Sequence, residues 1–374
     1  MSRMAKLSDH KKEISPHKPM ALDALPERPL VSILLTNYNY AAFLSDAIES
    51  CLRQTYDNLE IIICDDGSTD DSPRVLERYR SLDPRVRVLY QANGGQSRAM
   101  NAAFQRSTGE IICLLDADDT FMPDKVQQVI SSFAAAPDSG MAVNRMVRVD
   151  RARRYLGDVP LLSALASGWI RPFLSLSAPQ VVSGLPPCSG LSLRRSVAAA
   201  IFPLPERLTA YSDTLIQVLG PLITSIAAIE KPSSEYRVHG SNLAAVPEFT
   251  EERVRKLAVY EKEIWCAWRR FLASPLLGLP ADFPLPPKMP SSPMSYAYSR
   301  FRSTTTCRSD CKTVSPDYFR TWPKAYRWYW RASSLMPNWL FRKSFAFMYG
   351  QTQAKILLGK ILRVYRKGFR LCQQ

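Results

Sequence analysis

The chain has no acidic residue from Tyr318 to Gln374, a stretch with 12 Lys or Arg and 14 aromatics, "WPKAYRWYWR" among them. Most of the net charge of +15 therefore belongs to this C-terminal part. A basic, aromatic segment without counter-charges suits an anionic surface, either lipid or nucleic acid. No apolar run reaches the 18 or so residues that cross a bilayer, so no membrane span is expected. The opening "MSRMAKLSDHKKEISPHKPM" has no apolar segment behind its basic residues and does not read as a secretory leader. Internal repeats are missing too. Cys307 and Cys311 form a C-x3-C with no second pair nearby, too few ligands for a zinc site. The eight cysteines are expected to stay reduced, and Cys51, Cys64 and Cys113 sit inside apolar patterns as small core residues.

What is present is a folded chain of ordinary composition, 46% apolar and 22% charged over 374 residues. That length allows one large domain with an appendage, or two domains. Residues 1–28 read as a disordered lead-in. From "LVSILLTNYN" onward, strand and helix alternate for about 90 residues. Continuous apolar runs ("LEIIICDDGS", "VRVLYQ", "EIICLL") are separated by segments with helical apolar spacing, such as Leu44, Ala47, Ile48, Cys51 and Leu52. This alternation predicts an α/β domain with a mainly parallel sheet and helices on both faces. Beyond about residue 250 the character changes. "ERVRKLAVYEKEIWCAWRRFL" reads as a helix with Val254, Leu257, Tyr260, Ile264 and Trp268 along one side. Seven prolines between Pro275 and Pro293 mark a linker or extended surface segment. "KILLGKILRVYRKGFRL" divides into an apolar face and a Lys/Arg face. The apolar face either dips into an anionic lipid surface or packs on the rest of the protein.

Three loops gather the chemistry: "TNYNY", "DDGSTDD" and "DADDT". Each follows a strand, and ligands of such sheets bind beyond the carboxyl ends of the strands, so the three are expected to converge. In "IICLLDADDT", Asp116, Asp118 and Asp119 crowd the end of a buried strand. Carboxylates in that number repel one another unless a cation lies between them, and oxygen donors suit Mg2+ or Mn2+. The alternative is that Asp118 or Asp119 caps the helix starting near Pro123.

The segments "VSILLTNYNYAAFLSDAIESCLRQTYDNLEIIICDDGSTDDS" and "NGGQSRAMNAAFQRSTGEIICLLDADDTFMPDKV" resemble the nucleotide-sugar-binding half of family 2 glycosyltransferases with the GT-A fold. The resemblance runs from about Leu30 to Val126. It continues more weakly through "SGLSLRRSV" and "YSDTLIQ" to "YRVHGSN", near Asn242, and is absent beyond about residue 250. It implies a GT-A domain over residues 29–250, followed by a helical, proline-interrupted, basic aromatic region over 251–374. It implies that Asp66 accepts from the uracil ring nitrogen of a UDP-linked donor, with Thr36 and Asn37 lining the same pocket and Arg98 near the nucleotide. Asp116 and Asp118 match the D-x-D pair. Asp118 would hold the Mn2+ or Mg2+, and Asp116 would contact the ribose or a metal-bound water. Asp213, in "TAYSDTLIQ", falls where the family carries its general base, although Ser212 stands where Glu is common. The alternative for Asp213 is a helix cap. "YRVHGSN" matches a Tyr-Arg-x-His-Gly pattern that would bring His239 to the metal and Arg237 to phosphate. The implied reaction is a single inverting displacement onto a glycan or lipid-linked acceptor. The implied setting is cytoplasmic, at the inner face of the plasma membrane, in cell-surface polysaccharide assembly.

The departures are equally informative. The Gln-x-x-Arg-Trp motif and membrane helices of processive members are missing, "KAYRW" being the nearest approach. "DADDT" also fits the nucleophile motif of haloacid-dehalogenase-type phosphatases, but no Asp-Asp follows residue 119. A nucleotidyltransferase would open on a loop with Gly and Arg, which "TNYNYAAF" lacks. A non-enzymatic nucleic-acid-binding protein acting through the tail is disfavoured by the acidic loops, and no nucleic acid partner is expected.

Overall fold

The computed structural model describes residues 18–349, except 162, 175, 177–178, 180, 241, 243–249, 280–282, 284, 287–293, 295–296, 299, 301–327, 330–331 and 334–335. The expected final amphipathic helix and the C-x3-C pair lie outside the described residues. The chain divides into two compact units. The first takes in residues up to Arg148, Gly157–Tyr236 and Trp268–Leu285; the second takes in Val149–Leu156, Arg237–Ala267 and residues from Pro286 on. The first unit therefore reaches past the expected boundary at residue 250.

The first unit begins with the alternation read from the sequence: β1 (Val31–Asn37), α1 (Ala41–Leu52), β2 (Leu59–Asp65), α2 (Ser72–Leu82), β3 (Val86–Tyr90), α3 (Gln96–Arg106) and β4 (Ile111–Asp116). These four strands are parallel, β3 beside β2, β2 beside β1 and β1 beside β4. They are followed by β5 (Thr120–Phe121), α4 (Lys125–Ala135), β6 (Ser139–Val149), β7 (Tyr155–Asp158), β8 (Leu191–Arg194), α5 (Arg195–Ile201), α6 (Ser212–Ile223) and β9 (Ser225–Arg237). The sheet order is β3-β2-β1-β4-β8-β6-β9-β5, with β7 on β6 outside this path. The pairs β4–β8, β6–β8 and β5–β9 are antiparallel. The sheet is thus mixed, with the predicted parallel arrangement in its first half.

Alternate strand residues separate two apolar layers, because successive side chains leave a strand on opposite faces. Ile33, Leu35, Ile61, Ile63, Cys113 and Leu115 share one cluster with α1, α2 and α4, through Leu44, Ile48, Leu76, Val126 and Phe133. Helix α3 packs on β1 and β2, and α5 packs on β4 and β8. Cys51, Cys64 and Cys113 are buried free thiols, as expected of core positions.

Residues 18–28 depart from the disordered lead-in. Met20 donates its amide to the Ile223 carbonyl, and Arg194 donates to the Asp23 carbonyl. Leu25 packs against the main core. These contacts are largely made by backbone, which leaves little trace in side-chain pattern.

Within the second unit, Val254 and Ala258 of α7 (Glu251–Leu272) pack with Met294, Ala297, Tyr329, Phe341 and Phe345, the last two from α8 (Asn338–Tyr349). Arg300 is buried there. It donates to Asn338 Oδ1 and to the Ser333 and Met336 carbonyls, with its guanidinium 4.9 Å from the Phe341 ring. Such pairing is what a buried cation requires. Among the described residues no helix is long and apolar enough to cross a membrane.

Candidate active site

The strand register brings the three distinctive loops to one sheet edge. Thr36 lies between Cys64 and Asp116, and Asn37 lies beside Asp65. Asn37 is buried and donates to Asp65 Oδ2 at 2.7 Å and to Ser68 Oγ at 3.1 Å. Asn39, in the left-handed region at φ 60°, accepts the Thr69 amide at 2.7 Å on its side-chain oxygen. Gly67, at φ 75°, makes the turn after β2; a Cβ there would meet the Asn93 amide nitrogen at 2.7 Å. The first two loops are thereby laced together.

Asp66 follows β2 and is buried. Its Oδ1 accepts from Gln91 Nε2 at 2.6 Å and from the Gly94 amide at 2.9 Å, and its Oδ2 accepts the Gly95 amide at 2.7 Å. Gly95 has φ 90° and lies against Thr209, so this close approach requires glycine. Arg98 is exposed in the first turn of α3, with its stem beside Gly94.

Asp116 closes β4, and a tight turn joins the Asp119 amide to the Asp116 carbonyl at 3.1 Å. One carboxylate oxygen from each of Asp116, Asp118 and Asp119 lies within 4.8 Å of the others. Asp118 is 9% exposed and Asp119 is 1% exposed. Burial, together with the charges of Asp118 and Asp213, pushes the Asp116 carboxyl up to about 8; hydrogen bonds from the Cys188 thiol and Gln96 oppose the shift. The Asp118 and Asp119 cap reading does not hold, because α4 starts at Lys125 with Asp124 at its N-cap position. Asp119 Oδ2 instead accepts from Ser189 Oγ at 2.6 Å. Burial, reinforced by the acidic cluster, also raises the phenols of Tyr40 and Tyr236.

Asp213 stands in the first turn of α6, after Tyr211 at φ 56°. It is not the N-cap residue. Its Oδ2 accepts the Cys188 amide at 3.1 Å and its Oδ1 accepts the Thr214 amide at 3.0 Å. Burial raises its pKa, although the amides from Thr214 and Cys188 favour the charged form. Arg237 and His239 belong to the second unit. There Arg237 donates to the Arg151 carbonyl, and the His239 amide donates to Asn242 Oδ1.

The carboxylates fit a hard divalent cation: they are oxygen donors, they come within 4.8 Å, and their repulsion is what a cation would relieve. Sequence reasoning did not find Gln96, Cys188 or Ser189, the neutral groups that hold these carboxylates. "PPCSG" carries no periodicity, and only proximity in the fold reveals its role.

Comparison with known proteins agrees with this geometry. The profile described as Glycosyl transferase family 2 matches residues 32–172. An uncharacterized glycosyltransferase of Nostoc sp. is 33% identical over 241 residues, covering 62% of this chain and 72% of the relative. The chain belongs to glycosyltransferase family 2. The match to a chondroitin synthase of Escherichia coli is 43% identical over 105 residues, 28% of this glycosyltransferase and 15% of that protein. The crystal structure of S. aureus TarS 1-349 in complex with UDP-GlcNAc shares the fold. It has a TM-score of 0.50 at 18% identity and covers 84% of this chain and 89% of that one. The GT-A expectation thus holds. The family does not favour the phosphatase and nucleotidyltransferase readings of "DADDT", or a non-enzymatic role.

Proposed function

We propose that this glycosyltransferase moves a sugar from a UDP-sugar to a hydroxyl of a glycan or lipid-linked acceptor, with inversion at the anomeric carbon. The observation that carries the reading is the meeting of Asp116, Asp118 and Asp119 with the separately held Asp213. Thr36, Asn37 and Asp66 form the base pocket. Of about four acceptor positions on a carboxylate, three on Asp66 are taken by the loop from Gln91 to Gly95, leaving one for the uracil imide N–H. Asp118, with Asp116 and Asp119, would hold Mn2+ or Mg2+, which when bound offsets the charge building on the leaving diphosphate. Arg98 supplies positive charge beside the nucleotide. The roles of Arg237 at phosphate and His239 at the cation rest on the family motif.

Asp213 takes the proton of the acceptor hydroxyl as that oxygen bonds to the anomeric carbon and the bond to the diphosphate oxygen breaks. Its burial suits the task, since a base works best with a pKa near the working pH. TarS binds UDP-GlcNAc and the E. coli relative is a chondroitin synthase, which supports a nucleotide-sugar donor and a polysaccharide product. The acceptor is placed at an anionic lipid surface, at the inner face of the plasma membrane. Trp339, Arg342 and Lys343 of α8 are exposed, with Lys343 Nζ 5.8 Å from the Trp339 ring, and no acidic residue lies beyond Tyr318.

Asp213→Asn tests the central role. UDP affinity in Mn2+ is expected to stay within about twofold, while UDP release from the donor falls about 10²–10⁴-fold. Full turnover by the variant would exclude Asp213 as the base.

A further inference from the structure

Two side chains outside the roles above tie Asp116 to the helix that carries Asp213. Gln96 opens α3 and uses both ends of its amide. Nε2 donates to Asp116 Oδ1 at 3.2 Å, and Oε1 accepts the Ser212 amide at 3.1 Å. The amide orientation follows from its partners, since a carboxylate needs a donor and a backbone N–H needs an acceptor. Cys188, 1% exposed, makes a second link between the same two places. Its amide donates to Asp213 Oδ2 at 3.1 Å, and its thiol stands close enough to Asp116 to favour the charged form of that carboxyl. The Ser97 and Ser212 hydroxyls, 2.7 Å apart, reinforce the first bridge.

The anchorage of Gln96 extends to the base pocket. Its own amide donates to the Thr209 carbonyl, and the two glycines before it donate to Asp66. One hydrogen-bonded chain therefore runs from Asp66 through the start of α3 to Asp116 and on to the first turn of α6.

We propose that Gln96 and Cys188 are positioning residues, which hold Asp213 at a fixed spacing from the acidic cluster so that proton removal and diphosphate departure share one geometry. This rests on the reading of Asp213 as base and of the cluster as the diphosphate seat. The Gln96 side chain and Cys188 both contact the two carboxylate-bearing segments. Each acts by restricting where two carboxylates from distant parts of the chain can stand. Misplacement of a reacting group by about 1 Å costs on the order of 10²-fold in rate, so loss of both bridges falls on kcat.

The test follows UDP release from UDP-GlcNAc and other UDP-sugars, with water as acceptor and saturating Mn2+. It compares wild type, Gln96→Met, Cys188→Ala, Cys188→Ser and the Gln96→Met/Cys188→Ala double variant. UDP affinity and Tm are measured on the same proteins. Single variants are expected to lose about tenfold in kcat and the double about 10²-fold, with KM and UDP affinity within about twofold. Cys188→Ser, which restores a donor at nearly the volume of Cys188→Ala, is expected to recover part of the loss. A packing role would not separate those two variants. Unchanged kcat, equal loss in Cys188→Ser and Cys188→Ala, or a loss that tracks Tm would overturn the proposal. A wild type that releases UDP from no sugar donor contradicts the underlying donor and base assignment, and the proposal falls with it.

Discussion

Ser189 Oγ donates to Asp119 Oδ2 at 2.6 Å and itself accepts the Asp116 amide at 3.1 Å. Ser189 is fully buried, so this hydroxyl fixes both ends of the acidic turn. Outer-shell donors that orient carboxylates contribute about 10–100-fold to metal affinity. Ser189→Ala is therefore expected to weaken Mn2+ binding by that factor in calorimetry while circular dichroism stays unchanged. Undiminished affinity would show that the turn holds its shape without the hydroxyl.

The Asp116 carboxyl has a distinct pH signature. Burial and neighbouring carboxylates raise it to about 8 in the cation-free protein. The folded state then binds a proton that the unfolded chain releases near the usual carboxylate pKa of about 4. This contribution to stability is full below pH ~4 and is lost as pH rises towards 8. Asp116→Asn removes the titration, so its Tm advantage over wild type in EDTA is expected to grow between pH ~5 and 8. A constant difference across that range would contradict the assigned environment.

The raised Asp116 carboxyl is one means by which the molecule tolerates three adjacent carboxylates. The main architecture was readable from sequence because strand and helix periods differ, and the switch from one to the other repeats through β4. The loops "TNYNY", "DDGSTDD" and "DADDT" needed only strand polarity to be brought to one edge. The rest depends on contacts that no local pattern encodes. Gln96 and Ser212 are 116 residues apart, and Asp119 and Ser189 are 70 apart. Val254, Tyr260 and Trp268 of α7 showed their buried face in the sequence, yet the division between units falls inside that helix, where periodicity does not change. Residues 18–28 were hidden for another reason: backbone pairing carries no hydropathy signal.

The exposed face of α8 gives a membrane prediction. Trp339 is 63% exposed, and Arg342 and Lys343 are exposed near it. Co-sedimentation with phosphatidylglycerol vesicles is expected at low salt and should fall as salt screens the charges. Trp339→Ala/Lys343→Glu should weaken it without lowering Tm. Equal binding to phosphatidylcholine vesicles, or by the variant, would remove this face from the account.

The most direct measurement is a calorimetric titration of UDP into the protein, with GDP and CMP as controls, in Mn2+ and then in EDTA, for wild type and Asp118→Asn. The account predicts that UDP binds in preference to the other two, that EDTA weakens binding, and that Asp118→Asn reproduces the EDTA result in the presence of Mn2+. UDP binding indifferent to both metal and Asp118, or no binding of any nucleotide, would contradict the assignment of the acidic cluster as the diphosphate seat.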